Sequence, residues 1–491
     1  MKFFKIFKNP YVYLVLIILA GFFVRLYRID APIADWHSWR QADTAAVTRN
    51  FIKEGFNPLL PRYDDMSANA ETPISNPNRF RFVEFPFYNI FVYPFYLIFG
   101  ISEMYHRLVS IIFSLGSVLF LYLIVKKYAD QITALVSAFF FALLPFNVFF
   151  SRTTLPEPTF VFFALGMIYF VDRWIWEGRG ILRLWGFVFA ATSFLIKPWA
   201  IFFYLPLFYS VLKKSITRKL FLQFMLFSVI VLLPFMLWRL WILQQPEGIP
   251  ASSWLLNSDG IRFRPAFWWW IISERMGREI LGVSGIALFV IGLITRPKND
   301  HYFLHIWAFS AFLFMVVFAT GNVRHNYYQI LFVPAASVFL AKGFVTLLMR
   351  NDNFIPRIWT IFLALFLLLL TFYFTYKQVS GFYQINNPAM VEAGKRADRI
   401  LPKEAIVLAP YNGDSAFLYQ TNRPGFPFVP LPVAELVADY SVTHYVSTVF
   451  DPQTKWVMRH FKVLEENDKF VIVDLTILEN ALDDSLDPEP H

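Results

Sequence analysis

Apolar residues in this chain come in long blocks, not in alternation. Stretches of about 18 or more residues with few charges recur, and each is long enough to cross a hydrocarbon layer of roughly 30 Å. The blocks lie at 11–26, 107–125, 132–150, 159–170, 181–195, 200–212, 221–243, 280–294, 302–319, 330–348 and 358–376. They predict an α-helical polytopic membrane protein with about eleven transmembrane helices. The opening run is too long for a cleaved leader and has no convincing small-x-small site after it, so it reads as a retained first span.

The connecting segments alternate in charge. "KKYAD", "DRWIWEGRGILR", "KKSITRK", "TRPKND" and "MRNDNFIPR" are rich in Lys or Arg, as cytoplasmic loops are. Lys2, Lys5 and Lys8 place the N-terminus on the same side. The remaining loops then face outward: a long one at 30–106, an aromatic one at 244–278, and short ones containing "SRTTLPEP", "IKPW" and "TGNVRHNYY". Within the first, "EFPFYNIFVYPFYLIFG" is short, aromatic and split by Pro86 and Pro94, which suits an interfacial segment better than a span.

The pattern changes near Gly381. "MVEAGKRADRILPKEAIVLAP" reads as an amphipathic helix, a turn and a buried strand, and "VTHYVSTVF" and "FKVLEENDKFVIVDL" add strands. The expected organisation is therefore a transmembrane domain over 1–380 that includes the external loop 30–106. A small extracytoplasmic α/β domain follows over 381–478, then an acidic disordered tail over 479–491.

Composition sharpens this picture. Hydrophobic residues make up 57% of the 491 and charged residues only 16%, so a wholly soluble globule is excluded and the net charge of +9 belongs to basic loops, not to a nucleic-acid surface. The chain has no cysteine, which removes disulfides, thiolate metal sites and thiol chemistry. Any divalent metal would then rest on carboxylates, His or Tyr.

Candidate chemistry gathers in the outward loops. "DWHSWRQADT" puts Asp35, His37, Arg40 and Asp43 into ten residues. From Trp39 to Gly55 the spacing of Trp39, Ala42 and Ala46 predicts an amphipathic helix along the outer interface, stopped by Gly55, with Arg40, Asp43 and Thr44 on one face. Glu84 precedes the Pro-broken aromatic segment, and Lys197 is a lone cation between two apolar blocks. Arg152 and Glu157 in "RTTLPEP", and Arg324, His325, Tyr327 and Tyr328 in "NVRHNYYQ", lie at external block ends. Cations gathered there suit an anionic lipid headgroup, and acids beside them can activate a hydroxyl or bind a metal.

Over roughly 10–350 these motifs resemble the GT-C superfamily of glycosyltransferases, in its protein O-mannosyltransferase and aminoarabinose-transferase-like branch. The resemblance rests on the order of the acidic motif, "TRNFIKEG", "EFPFYNIFVYPFYLIFGISEMYHRLVSIIFS", "RTTLPEP", "LIKPW" and "RHNYYQILFVP". It implies a membrane glycosyltransferase in the cytoplasmic (inner) membrane, with the active site and C-terminal domain extracytoplasmic. It implies a polyprenyl-phosphate-linked sugar as donor, a glycan, lipid or protein acceptor, and inverting displacement with a first-loop Asp as base. The family commonly has adjacent Asp-Glu in that loop. Here the base is Asp43 or Asp35; helix alignment on Arg49 matches neither squarely, Asp43 is slightly favoured, and Lys197, Arg324 and Arg152 hold the phosphate by similarity. His37, Arg40, Glu84, Glu157, His325 and Tyr328 complete the expected donor site.

Displacing a phosphate needs little acid assistance, so cations for its charge and one base for the acceptor suffice. A lipid-linked glycan polymerase or ligase is the nearer alternative, and a multi-span transporter the further one. The C-terminal domain is expected to select the acceptor.

Overall fold

The computed structural model describes residues 9–71, 74–214, 217–350 and 355–480. Its principal helices are α1 (Pro10–Arg25), α2 (Ser38–Lys53), α3 (Phe87–Phe99), α4 (Glu103–Tyr128), α5 (Gln131–Leu143), α6 (Glu157–Glu177), α7 (Gly180–Ile196), α8 (Tyr204–Lys213), α9 (Arg218–Ile242), α10 (Gly285–Ile294), α11 (Phe303–Val317), α12 (Val333–Met349), α13 (Arg357–Val379), α14 (Pro388–Ile400), α15 (Val433–Tyr440) and α16 (Pro452–His460). The chain divides into two compact units. One, all helical, comprises Met1–Ile29, Arg107–Trp241 and Ser252–Gly381; the other comprises Asp30–His106, Ile242–Ala251 and Phe382–His491. Lys2, Lys5 and Lys8, parts of "KKSITRK" and "MRNDNFIPR", and residues 481–491 of the acidic tail lie outside the described residues.

In the helical unit every apolar block is helical, but eleven uninterrupted spans are not what the structure supports. Among the described residues four helical stretches, Glu103–Tyr128, Glu157–Glu177, Arg218–Ile242 and Arg357–Ile400, are long and apolar enough to cross a membrane, or five with the bent pair Pro265–Ile280 and Gly285–Ile294. Proline explains part of the shortfall. Pro145 ends the block at 132–150 after α5 and starts a separate short helix, Pro145–Phe150. Pro198 turns the block at 200–212 into a tight Pro198–Phe203 turn followed by α8. Helix α9 shows what the unit meets outside: only 17% of its most apolar window is covered by protein, which suits lipid contact.

Two devices hold this unit together. Arg25, fully buried at the end of α1, donates to Ser151 Oγ at 2.7 Å and to the carbonyls of Gly21 and Ala142 at 2.8 and 2.6 Å. It thereby ties the first helix to the break after α5. Helices α10 and α12 meet backbone to backbone. A Cβ on Gly343 would lie 2.7 Å from the Leu288 carbonyl carbon, and one on Gly292 would lie 2.9 Å from that of Phe339. Small residues at such crossings let helices approach closely where lipid offers no hydrophobic drive.

The other unit contains a five-stranded sheet, β1 (Val407–Leu408), β2 (Gly425–Phe426), β3 (His444–Ser447), β4 (Phe461–Glu466) and β5 (Val471–Leu478), in the order β2-β1-β3-β5-β4. The β2-β1-β3 part is parallel, and β5 pairs antiparallel with both β3 and β4. One face is covered by α15 and α16, whose Val433, Leu436, Trp456 and Val457 pack with Tyr445 and Val473. The other face belongs to a core in which α14 and the short helix Ala416–Thr421 pack with Ala42, Ala46, Val47 and Phe51 of α2.

The first loop therefore groups with the C-terminal segment, whereas the sequence reading attached 30–106 to the helical domain. Residues 64–66 even extend the sheet edge at β2: Gly425 N donates to Asp64 O at 2.9 Å and Met66 N to Gly425 O at 2.8 Å. Gly425 has φ +154°, and a Cβ there would run into the Val407 backbone.

Candidate functional site

Helix α2 differs from the expected interfacial helix. Almost every residue from Ser38 to Phe51 is buried, polar ones included, because the partners that satisfy them come from the rest of the same unit. Its end is as expected, with Gly55 at φ +99° just past the last turn. Helix α3, at 13 residues about 20 Å long, is too short to span and lays Tyr88, Asn89, Val92 and Tyr96 inward while Leu97, Ile98 and Phe99 stay exposed. Asn89 Nδ2 donates to Thr44 O at 2.7 Å and to Thr48 Oγ1 at 2.8 Å, which fixes α3 against α2.

On that scaffold the predicted acids separate into distinct environments. Asp43 uses both oxygens: Arg81 Nη2 donates to Oδ2 at 2.5 Å and Ser415 Oγ to Oδ1 at 2.6 Å. The Arg81 guanidinium also lies 4.8 Å from the Tyr63 ring centroid. Asp35, buried just before α2, accepts from Gln41 Nε2 at 2.6 Å. His37 caps α2 with left-handed backbone at φ +57°, its ring 5.2 Å from Trp36, which in turn stacks on Phe382.

Arg40 reaches a carboxylate beyond its own helix. It grips Glu84 through two bonds of 2.6 and 2.7 Å, so the acid ahead of α3 is neutralised within the unit. Arg49 pairs with Asp64, donates to Tyr419 O at 2.8 Å and lies over the Tyr419 ring.

Two further carboxyls sit beside this group. Asp65 accepts from Ser67 N at 2.8 Å, and burial pushes its carboxyl up to about 6, with the Asp43 charge adding to the effect. Asp414 accepts from Ser38 Oγ and Ala416 N, both at 2.7 Å, and burial raises its carboxyl above the usual range. Arg81, Gln41, Ser415 and Asp414 were absent from the sequence-derived set. Arg81 stands three residues from Glu84, a usable signal, but Ser415 has none near Asp43.

The predicted cations lie in the helical unit. Arg152, Glu157 and Lys197 are at most 4% exposed. Arg152 follows the Pro145–Phe150 helix and donates to Arg28 O at 2.8 Å. Glu157 opens α6, and Lys197, at the end of α7, brings Nζ to 3.4 Å from Glu157 Oε1 and 4.9 Å from the Trp199 ring centroid. Trp199 meets Tyr328 edge-on at 4.6 Å, and Tyr328 lies 5.8 Å from His325. Arg324 stands apart from this buried set: its side chain is 57% exposed, 3.9 Å from Asp259 and over Trp254. Arg and Lys side chains of this kind bind phosphate, and both Arg152 and Lys197 are held inside the unit. Among the described residues no group of three or more His, Asp or Glu side chains is arranged to hold a metal ion.

Comparison with known proteins follows the same lines. Residues 84–241, under half of the chain, match the family of dolichyl-phosphate-mannose-protein mannosyltransferases. An uncharacterized protein of Aquifex aeolicus (strain VF5) is 42% identical over 80 residues, 16% of this chain and 19% of that protein, so the chain spans about a fifth of that relative's length. ArnT from Cupriavidus metallidurans, solved bound to undecaprenyl phosphate, is similar with a TM-score of 0.62 at 14% identity, over 94% of this chain and 97% of that one. The archaeal oligosaccharyltransferase AglB from Archaeoglobus fulgidus, solved with an inhibitory peptide and a dolichol-phosphate, gives 0.55 at 11% identity over 91% and 70%. The arabinofuranosyltransferase AftD from Mycobacteria gives 0.57 at 12% over 94% and 41%. At such identities these likenesses establish the fold.

Proposed function

We propose, from the premise that this chain is by fold a membrane protein of the GT-C glycosyltransferase superfamily, that it transfers a sugar from a polyprenyl-phosphate donor to an acceptor hydroxyl. The observation that carries the reading is the buried Lys197–Glu157 pair, with Arg152 buried in the same unit. Ionisable side chains so placed in an apolar bundle are costly to keep and mark functional sites. That ArnT and AglB were solved with polyprenyl phosphates supports a lipid-phosphate donor.

In the proposed reaction the acceptor oxygen attacks the anomeric carbon as the bond from that carbon to the phosphate oxygen breaks, inverting the centre. The acceptor proton goes to a carboxylate, and the leaving phosphate keeps its electron pair beside Lys197 and Arg152. Asp35 and Asp43 are the candidates for that carboxylate: Asp35 accepts from Gln41, and Asp43 from Arg81 and Ser415. The site faces the extracytoplasmic side of the inner membrane, and the acceptor is a glycan, lipid or protein.

The test is transfer of radiolabelled sugar from polyprenyl-phosphate donors by purified protein, with Asp35→Asn and Asp43→Asn at matched folding. Turnover by the wild type with a loss of about 100-fold or more in one of the two variants supports the reading and names the base. No turnover with any such donor, or full activity in both variants, removes it.

A further inference from the structure

A cavity of about 560 Å³ within the helical unit plays no part in the reaction proposed above. It is formed where α4 ends, α5 begins, α10 gives way to α11, and α12 ends. Helix α5 starts at the cavity and leads away from it toward the break that carries Arg152.

The charges around the cavity do not cancel. Asp130 caps α5, accepting from Ile132 N and Thr133 N at 2.9 Å. Asp300 is taken by Arg296 through two 2.8 Å bonds. Asp172, behind the wall, receives Tyr128 Oη at 2.6 Å and pairs with Lys127. Lys298 and Lys342 form no ion pair among the described residues.

Lys342 is the telling residue. It is 8% exposed, and among the described residues its ammonium donates only to Thr295 O at 3.2 Å, with the Phe339 ring 5.1 Å away. Across the cavity His301 is wedged 4.7 Å from the Tyr128 ring, and neither ring nitrogen has a hydrogen-bond partner among the described residues. Thr133, His305 and Thr346 also line the cavity, and its apolar wall is Ile132, Leu304, Val345 and Met349, of which Ile132 and Met349 stay exposed to the surroundings.

We propose that this cavity binds a phosphate group, with Lys342 and Lys298 as its cationic seat, His301 as a hydrogen-bond donor and the Ile132–Val345–Met349 wall as the rest for an attached acyl chain. An unpaired ammonium amid apolar surface needs an anion, and a phosphate satisfies several donors at once. The wall makes a lipid headgroup the fitting source, with a free phosphate compound as the other. The site is separate from the donor phosphate group at Arg152 and Lys197, so it stands whether or not the proposed transfer is correct.

The experiment uses full-length protein in detergent, with native mass spectrometry and thermal shift as readouts and dioleoyl phosphatidic acid, dioleoyl glycerol and glycerol 3-phosphate as probes. One phosphatidic acid is expected to be retained at least about tenfold more tightly than dioleoyl glycerol, which lacks only the phosphate. Lys298→Ala, on an exposed loop and outside the transfer machinery, is expected to lose most of that preference at an unchanged lipid-free Tm, and Lys342→Gln to lose it fully. Glycerol 3-phosphate that displaces phosphatidic acid at equal concentration makes the occupant a free phosphate compound; failure to displace it makes the occupant a lipid. Equal retention of both lipids, or a Lys298→Ala and Lys342→Gln double variant that binds like the wild type, overturns the proposal.

Discussion

Asp43 and Ser415 stand 372 residues apart and are joined by a 2.6 Å hydrogen bond, with the serine hydroxyl donating to the carboxylate oxygen that Arg81 does not hold. One acid of the first loop is thus positioned by the C-terminal segment. Ser415→Ala leaves that oxygen short of a donor at a buried position, and a loss of about 1–3 kcal/mol is expected. Thermal unfolding of purified Ser415→Ala checks it. A Tm matching the wild type would mean the bond holds nothing.

The Arg40–Glu84 pair is buried and doubly hydrogen-bonded. Removing one member takes this doubly bonded partner from the other, so Glu84→Gln and Arg40→Met are each expected to cost about 1–3 kcal/mol. The double variant should recover part of that loss. Denaturation of the three proteins, read as a double-mutant cycle, separates this pair from independent contributions.

Asp65 gives the second unit a pH dependence of known sign. Its folded pKa near 6 lies above the ordinary 3.8, so the native state holds the proton more tightly than the unfolded chain. The stabilisation is complete below about pH 4 and disappears as pH rises through 6, a swing of roughly 3 kcal/mol at most. Asp414 shifts in the same direction. Asp65→Asn, which can still accept from Ser67 N, is expected to raise Tm at pH 7.5 and leave it unchanged at pH 4. A variant whose Tm follows the wild-type pH profile would contradict this.

Lys197→Met tests the donor group. It removes the cation but keeps the length and apolar contacts of the side chain, and it leaves Glu157 buried without that partner. Transfer is expected to fall about 10²–10³-fold, the cost of losing one preorganised stabiliser of transition-state charge. Glu157→Gln in the same background should restore folding but not turnover, which separates charge at the phosphate from stability of the bundle.

Gly343→Ala checks the helix crossing. The added methyl has Leu288 backbone in its way. Separating α10 from α12 is expected to cost about 1–3 kcal/mol, measured as the loss in Tm of the purified protein.

What could be read from the chain follows range in sequence. Helices α4, α6 and α9 were visible because length and hydropathy are local, and β1, β3 and the β4–β5 pair because short apolar runs between turn residues are local too. The prolines that divide the apolar blocks at 145 and 198 were also in plain view, and their effect was underread. Helix α2 misled for a different reason. Ala42 and Ala46 do mark a buried face, but Arg40, Asp43 and Arg49 are buried as well, because Glu84, Arg81 and Asp64 meet them. Such pairings across a loop leave no periodic trace, and Ser415 least of all.

The shared core of α2 and the C-terminal segment also orders events during synthesis. Ala42 and Phe51 leave the ribosome long before Phe417 and Leu418, which close the same core. At about 5–20 residues per second, tens of seconds separate the two. Through that interval helix α2, with its arginines and acids, must wait without its main partner while the apolar helices between are made. A nascent chain halted before Thr421 therefore carries an unfinished first loop, and quality control has a defined species to recognise. For the same reason, deleting residues 381–491 cannot isolate a role in acceptor choice, since it also removes most of the core that holds Asp43 in place.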